Sequence, residues 1–137
     1  MPEGVGYGPQ YTASTGLTLN YIGSHCYALS GAVPCNNNET TLLEFTTASN
    51  SYIVANAQVD YATTIVYTED VGFQIYFNGV PIYRTALTSA TGTTPTEEIE
   101  LLIPPGTTVK ITGINLTNTS NRDCAANIVG RIYGRVD

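Results

Sequence analysis

The chain of 137 residues is long enough to bury roughly two thirds of the surface its unfolded form exposes, so one domain without disulfide or metal staples is expected. Charged residues make up only 12%, about half the usual share, and eleven Asp and Glu against five Lys and Arg give a net charge of −6. That balance repels a phosphate backbone and argues against nucleic acid as a partner. No apolar run approaches the length that spans a bilayer, and Met-Pro-Glu-Gly lacks the basic and apolar regions of a secretory signal. A protein made in a cytoplasm, with no membrane partner, is the expectation.

Thr, Val, Ile and Tyr are abundant, with 13 Gly and 7 Pro, and no window carries a helical period. Residues 1–20 are rich in Gly, Thr and Tyr, with no regular apolar pattern before Leu17 and Leu19, and read as an extended arm. From residue 21 to 137 short runs alternate with turn signals, which predicts one sandwich or barrel domain. The clearest runs are 41–46, 52–61, 72–77, 80–87, 99–103, 107–116 and 127–136.

Ile53, Ala55, Ala57, Val59 and Tyr61 alternate with polar neighbours, the period of a half-buried strand. Phe73, Ile75 and Phe77 do the same and run into Asn78-Gly79, the dipeptide suited to a type I′ turn, so residues 72–87 predict a hairpin. Pro104-Pro105-Gly106 must end the strand that carries Ile99, Leu101 and Ile103. In the last run Ile128, Gly130, Ile132 and Gly134 share one face, and the glycines signal a bulge or a close approach of other atoms. The turn-rich stretch from Thr88 to Thr96 reads as an exposed loop.

Catalytic chemistry has little to work with. His25 is the sole histidine, and its neighbour Cys26 would point to the opposite face of a strand. Cys35 and Cys124 add no metal-ligand spacing, so neither a metal nor a cofactor is expected. Cys26 and Cys35 could bridge in an oxidising medium, although free thiols are the default in a cytoplasm. The acids Glu69, Asp70, Glu97, Glu98 and Glu100 flank predicted strands at turns, where solvated edges explain them better than a glycosidase pair or a calcium site. Gly4–Gly8 follows no strand and opens no helix, so it is not a phosphate loop. The triplets at Asn38, Asn115 and Asn118 read as plain polar loop sequence rather than glycosylation sites. Ten tyrosines with no tryptophan suit both cross-strand pairing and binding surfaces.

Several segments together carry a resemblance. Gly6–Gly16 (GYGPQYTASTG), Cys26–Gly31 (CYALSG), Glu39–Thr47 (ETTLLEFTT), Phe77-Asn78-Gly79, Leu102–Thr107 (LIPPGT) and Gly130–Gly134 (GRIYG) are similar to small virion proteins of marine tailed phages, including cyanophages. The resemblance covers nearly the whole chain in short pieces, none of them a catalytic signature. It implies a jelly-roll-like antiparallel β-sandwich on the capsid exterior, a decoration or cement protein that acts as a homotrimer. Its partners would be the major capsid protein and copies of itself. The arm, with Gly6, Tyr7, Gly8, Pro9, Gln10, Tyr11, Leu17 and Leu19, would carry the shell or intersubunit contact. The alternative is a carbohydrate- or receptor-binding module of a virion, for which an exposed coplanar aromatic pair would speak. An enzyme stands well behind both.

Overall fold

The computed structural model describes residues 18–61, 69–88 and 96–134. Among these residues every regular element is a β-strand, and the strands form two antiparallel sheets. One contains β1 (Asn20–Ile22), β2 (His25–Leu29), β3 (Val33–Cys35), β5 (Ser51–Tyr61), β8 (Thr96–Ile103) and β10 (Arg122–Gly134). The other contains β4 (Thr40–Thr46), β6 (Asp70–Phe77), β7 (Val80–Thr88) and β9 (Thr108–Asn115), in the order β4-β9-β6-β7.

The connectivity is that of one long hairpin rolled across two sheets. Counting outward from its tip, β6 pairs with β7, β5 with β8, β4 with β9 and β2 with β10. Successive rungs fall in alternate sheets, and lateral ladders between β5 and β10 and between β6 and β9 then close each sheet. That is the jelly roll the resemblance implied.

The tip is Asn78-Gly79, with φ of 53° and 80°, as a type I′ turn requires. At the same end of the sandwich, where the Asn78 amide donates to the Thr108 carbonyl, Gly106 takes φ 63° beside Pro104 and Pro105. There Thr47 ties two connections together: its hydroxyl donates to the Pro104 carbonyl at 2.8 Å and accepts from the Thr107 amide at 2.8 Å.

The inner faces match the alternation in the sequence. Ile53, Ala55, Ala57, Val59 and Tyr61 are buried along β5, Phe73 and Ile75 along β6, and Ile103, Ile111 and Ile128 complete the centre of the core. Three differences from the sequence reading stand out. First, β10 begins at Arg122, five residues before the expected start, because Cys124 and Ala126 continue the inward alternation and pair with β3 and β5. Secondly, the sandwich begins earlier than residue 21: Asn20 already belongs to β1, and Leu19, expected in the arm, packs into the core at 8% exposure. Thirdly, Cys26 and Cys35 cannot bridge as they stand. Cys26 pairs with Gly130 and Cys35 with Arg122, eight positions apart along β10, or about 26 Å.

Edge strands are protected against further pairing. β1 has three residues, β4 and β7 carry register shifts, β7 contains Pro81, and β8 carries Glu97, Glu98 and Glu100.

The close approach signalled by Gly130 is real: a Cβ there would lie 2.7 Å from Ala55 Cβ and 2.8 Å from the Val54 carbonyl oxygen. Gly134 has open space around it. Gly130→Ala is expected to lose about 1–3 kcal/mol through overpacking, whereas Gly134→Ala should change stability little. Thermal or urea melts of the two variants decide it, and equal stability would contradict this packing.

Candidate interaction surface

The outer face of the six-stranded sheet divides into two ends. Register fixes which side chains share it, since paired residues in a ladder point the same way. One row crosses five strands as Ile22, His25, Arg131, Val54 and Leu102. On one side of this row Tyr133 faces Tyr52, and on the other Tyr27, Val129, Asn56 and Glu100 line up. Beyond them come Leu29, Asn127, Gln58 and Glu98.

The exposed apolar side chains of this face gather in these rows, interspersed with His25, Arg131, Asn56 and Glu100. Leu102 is 64% exposed and Val129 53%, with Ile22, Leu29 and Tyr133 also exposed. A shallow apolar groove of about 470 Å³ lies among Ile22, His25, Tyr27, Leu29 and Val129. A second, of about 550 Å³, lies against Tyr52, Leu102, Pro104 and Pro105. The far row is polar apart from Leu29: Gln58 Nε2 donates to Thr96 Oγ1 at 3.0 Å and to Asp60 Oδ1 at 3.3 Å, beside Glu98. Lone exposed apolar residues need no explanation, but a contiguous end of a sheet face does.

The aromatic pair on this face is built as a stack. The Tyr52 and Tyr133 rings lie 5.2 Å apart and within 14° of parallel, and the Arg131 guanidinium sits 6.0 Å from the Tyr133 ring centre. Tyr133 is thus flanked by a ring on one strand and a cation on its own. A sugar platform presents ring faces side by side, so this geometry does not favour the carbohydrate alternative.

The outer face of the four-stranded sheet is wired differently. The Thr112 hydroxyl donates to Glu39 Oε2 at 2.5 Å, the Tyr76 hydroxyl donates to the same oxygen, and Lys110 lies 5.0 Å over the Tyr76 ring. The two hydroxyls, with Lys110 adding to them, hold the Glu39 carboxyl below its ordinary value of 4.5. The unfolded chain then binds more protons as pH falls, so the stabilisation is complete above 4.5 and is lost on acidification below it. Glu39→Gln is expected to lose less Tm than the wild type between neutral pH and pH values below 4.5. An identical acid response in the two proteins would contradict this role.

Three of the acids named from the sequence, Glu69, Asp70 and Glu97, accept hydrogen bonds. Arg122 Nε and Nη2 donate to the two carboxylate oxygens of Glu69 at 2.6 and 3.2 Å, and Asn118 Nδ2 adds a third bond at 2.5 Å. Arg122 accordingly holds the Glu69 carboxyl below the usual range. Asp70 accepts from the Thr88 hydroxyl at 2.5 Å, and Glu97 from the Thr85 hydroxyl at 2.9 Å. Among the described residues no three His, Cys, Asp or Glu side chains gather as metal ligands. Asn115 is buried, its amide donating to Asn118 Oδ1 and the Ser120 carbonyl.

All three thiols are free and buried. His25 is exposed while Cys26 points inward, so the two do not cooperate, and burial pushes the Cys26 thiol up to about 11. That Cys35 and Cys124 meet is not legible in their spacing. They are diagonal neighbours between β3 and β10, and the missing Cβ of Gly113 leaves room for both. Contact with Cys35 and burial push the Cys124 thiol upward as well. A thiol reagent at neutral pH is expected to label none of the three in the folded protein and all three after unfolding. A fast-reacting equivalent in the folded state would contradict the burial.

Of the residues assigned to the arm, Gly6, Tyr7, Gly8, Pro9, Gln10, Tyr11 and Leu17 lie outside the described residues, and Leu19 is core.

No protein-family model and no curated protein matches the chain. Among solved structures it is similar to the infectious bursal disease virus Gt strain, at 19% identity and a TM-score of 0.46, covering 79% of this chain and 31% of that one. T=1 particles derived from infectious bursal virus give 16% identity and 0.46, covering 84% and 37%. The insecticidal delta-endotoxin Cry8Ea1 from Bacillus thuringiensis gives 10% and 0.41, covering 74% and 20%. The chain thus spans little more than a third of those chains, or less. These likenesses are distant, and the jelly roll rests on the ladders of this chain itself.

Proposed function

We propose that the chain is a viral structural protein, a decoration or cement protein that binds the outside of a capsid shell as a homotrimer and stabilises it. The observation that carries this reading is the apolar end of the six-stranded sheet, exposed on a rigid sandwich whose surface holds few charges. Such a surface loses little on desolvation and suits a protein–protein contact. The resemblance of the sequence to small phage virion proteins points the same way. A cement protein needs a stiff body, several contacts per oligomer and no active site, since linked weak contacts hold strongly together. On this reading the major capsid protein is the partner and the virion exterior the location.

The test is co-sedimentation with undecorated shells of the cognate capsid protein. Because Leu19 belongs to the core, the informative truncation removes residues 1–17 and no more. The full chain is expected to pellet with shells and raise their melting temperature, and the truncated chain to stay in the supernatant. Undiminished binding by the truncated chain would overturn the role of the arm. A full chain that never pellets would overturn the decoration reading.

A further inference from the structure

Two of the buried thiols are placed to react with one another. In the β3–β10 ladder Cys35 stands opposite Arg122 and Val33 opposite Cys124, so the two cysteines are diagonal neighbours on the inner face. Both are fully buried. The Cys35 thiol donates to the Val33 carbonyl and the Cys124 thiol to the Arg122 carbonyl, each at 3.6 Å. Each sulfur therefore leans along its own strand towards the residue that faces the other cysteine, and the two thiols touch on the diagonal between them. A Cβ on Gly113 would lie 3.1 Å from Cys35 Sγ and 3.5 Å from Cys124 Cβ, so both side chains fill the space that glycine leaves. Cys26, opposite Gly130, takes no part.

We propose that Cys35 and Cys124 are a disulfide-forming site, reduced in a cytoplasm and closed by a small-molecule disulfide such as oxidised glutathione in an oxidising medium. Diagonal Cβ atoms in a ladder stand up to about 7 Å apart, against about 4 Å in a disulfide, so one strand must move towards the other. β3 is built to move. It has three residues, its only ladder among the described residues is with β10, and Pro34 in its middle brings no amide to that ladder. β10 is held on its other side by β5 over eleven positions. Local opening of β3 also gives the oxidant access to a buried sulfur. The exposed Cys35 thiolate attacks one sulfur of the small disulfide, forming a mixed disulfide and expelling a small thiolate. As the ladder closes, the Cys124 thiolate attacks the Cys35 sulfur and expels the second. Two protein thiols and one small disulfide thus give one protein disulfide and two small thiols, which carry away the two protons. A bond drawn across a diagonal is strained and readily reduced again, so the pair responds to the medium in both directions. The site stands apart from the assembly reading and survives its failure.

The freshly reduced full-length chain, held in oxidised glutathione in mildly alkaline buffer and sampled over hours, tests this. Unchanged circular dichroism verifies that the chain stays folded throughout. Oxidation is expected to be slow, because the burial that shields the thiols from a brief exposure to a reagent limits it to openings of β3. Free thiols counted after unfolding are expected to fall from three to one. The mass of the single chain should drop by two hydrogens with no glutathione retained, and proteolytic fragments should be joined through Cys35 and Cys124. A reducing monothiol is expected to restore all three thiols. Cys26→Ala should oxidise like the wild type and lose both of its remaining thiols; the fragment map of the wild type decides the pairing on its own if that variant does not fold. Three thiols persisting in the folded chain, a bond that maps to Cys26 or joins two chains, or glutathione left on either cysteine would each overturn the proposal.

Discussion

The sandwich depends on one strand. β10 runs for 13 residues through the middle of the six-stranded sheet, pairing over eleven positions with β5 on one side and with β2 and β3 on the other. Three of that sheet's five ladders run along its backbone. The absence of a side chain at Gly130 lets it sit against Ala55 and Val54. Its alternation also sets both surfaces at once. Cys124, Ala126 and Ile128 fill the core, while Val129, Arg131 and Tyr133 form the spine of the exposed apolar end. A one-residue slip would exchange these sets, so the register that stabilises the core also defines the contact surface.

What the sequence made legible was local. The two-residue period of β5, the Asn78-Gly79 turn and the Pro104–Gly106 break each declare themselves within a few residues, and all stand in the structure. The first half of β10 did not, because Cys124, Ala125 and Ala126 are weak strand formers that follow a polar stretch. Its pairing with β3 and β5 overrides that preference. Leu19 looked like arm sequence because no regular apolar alternation precedes it, yet it joins the core cluster. Cys35 and Cys124 are 89 residues apart in sequence and meet only through the β3–β10 ladder.

The interaction surface was hidden for the same reason. Its residues come from five strands, and each looks like an ordinary outward position in its own segment. Only the ladder registers bring Ile22, Val54, Leu102, Val129 and Tyr133 near one another, with Gln58 and Glu98 one row further out. Composition foretold a low-charge surface but not that its apolar part would be contiguous. That segregation turns a β-sandwich of unspecified role into one with a preferred contact side, while the fold itself remains compatible with many roles.

The most direct measurement is the molar mass of the full-length chain in solution, by light scattering on a sizing column across a range of concentrations. A stable species of three chains is what this account predicts, with the apolar end of the sheet covered inside it. A mass of one chain at every concentration would contradict self-assembly through that face.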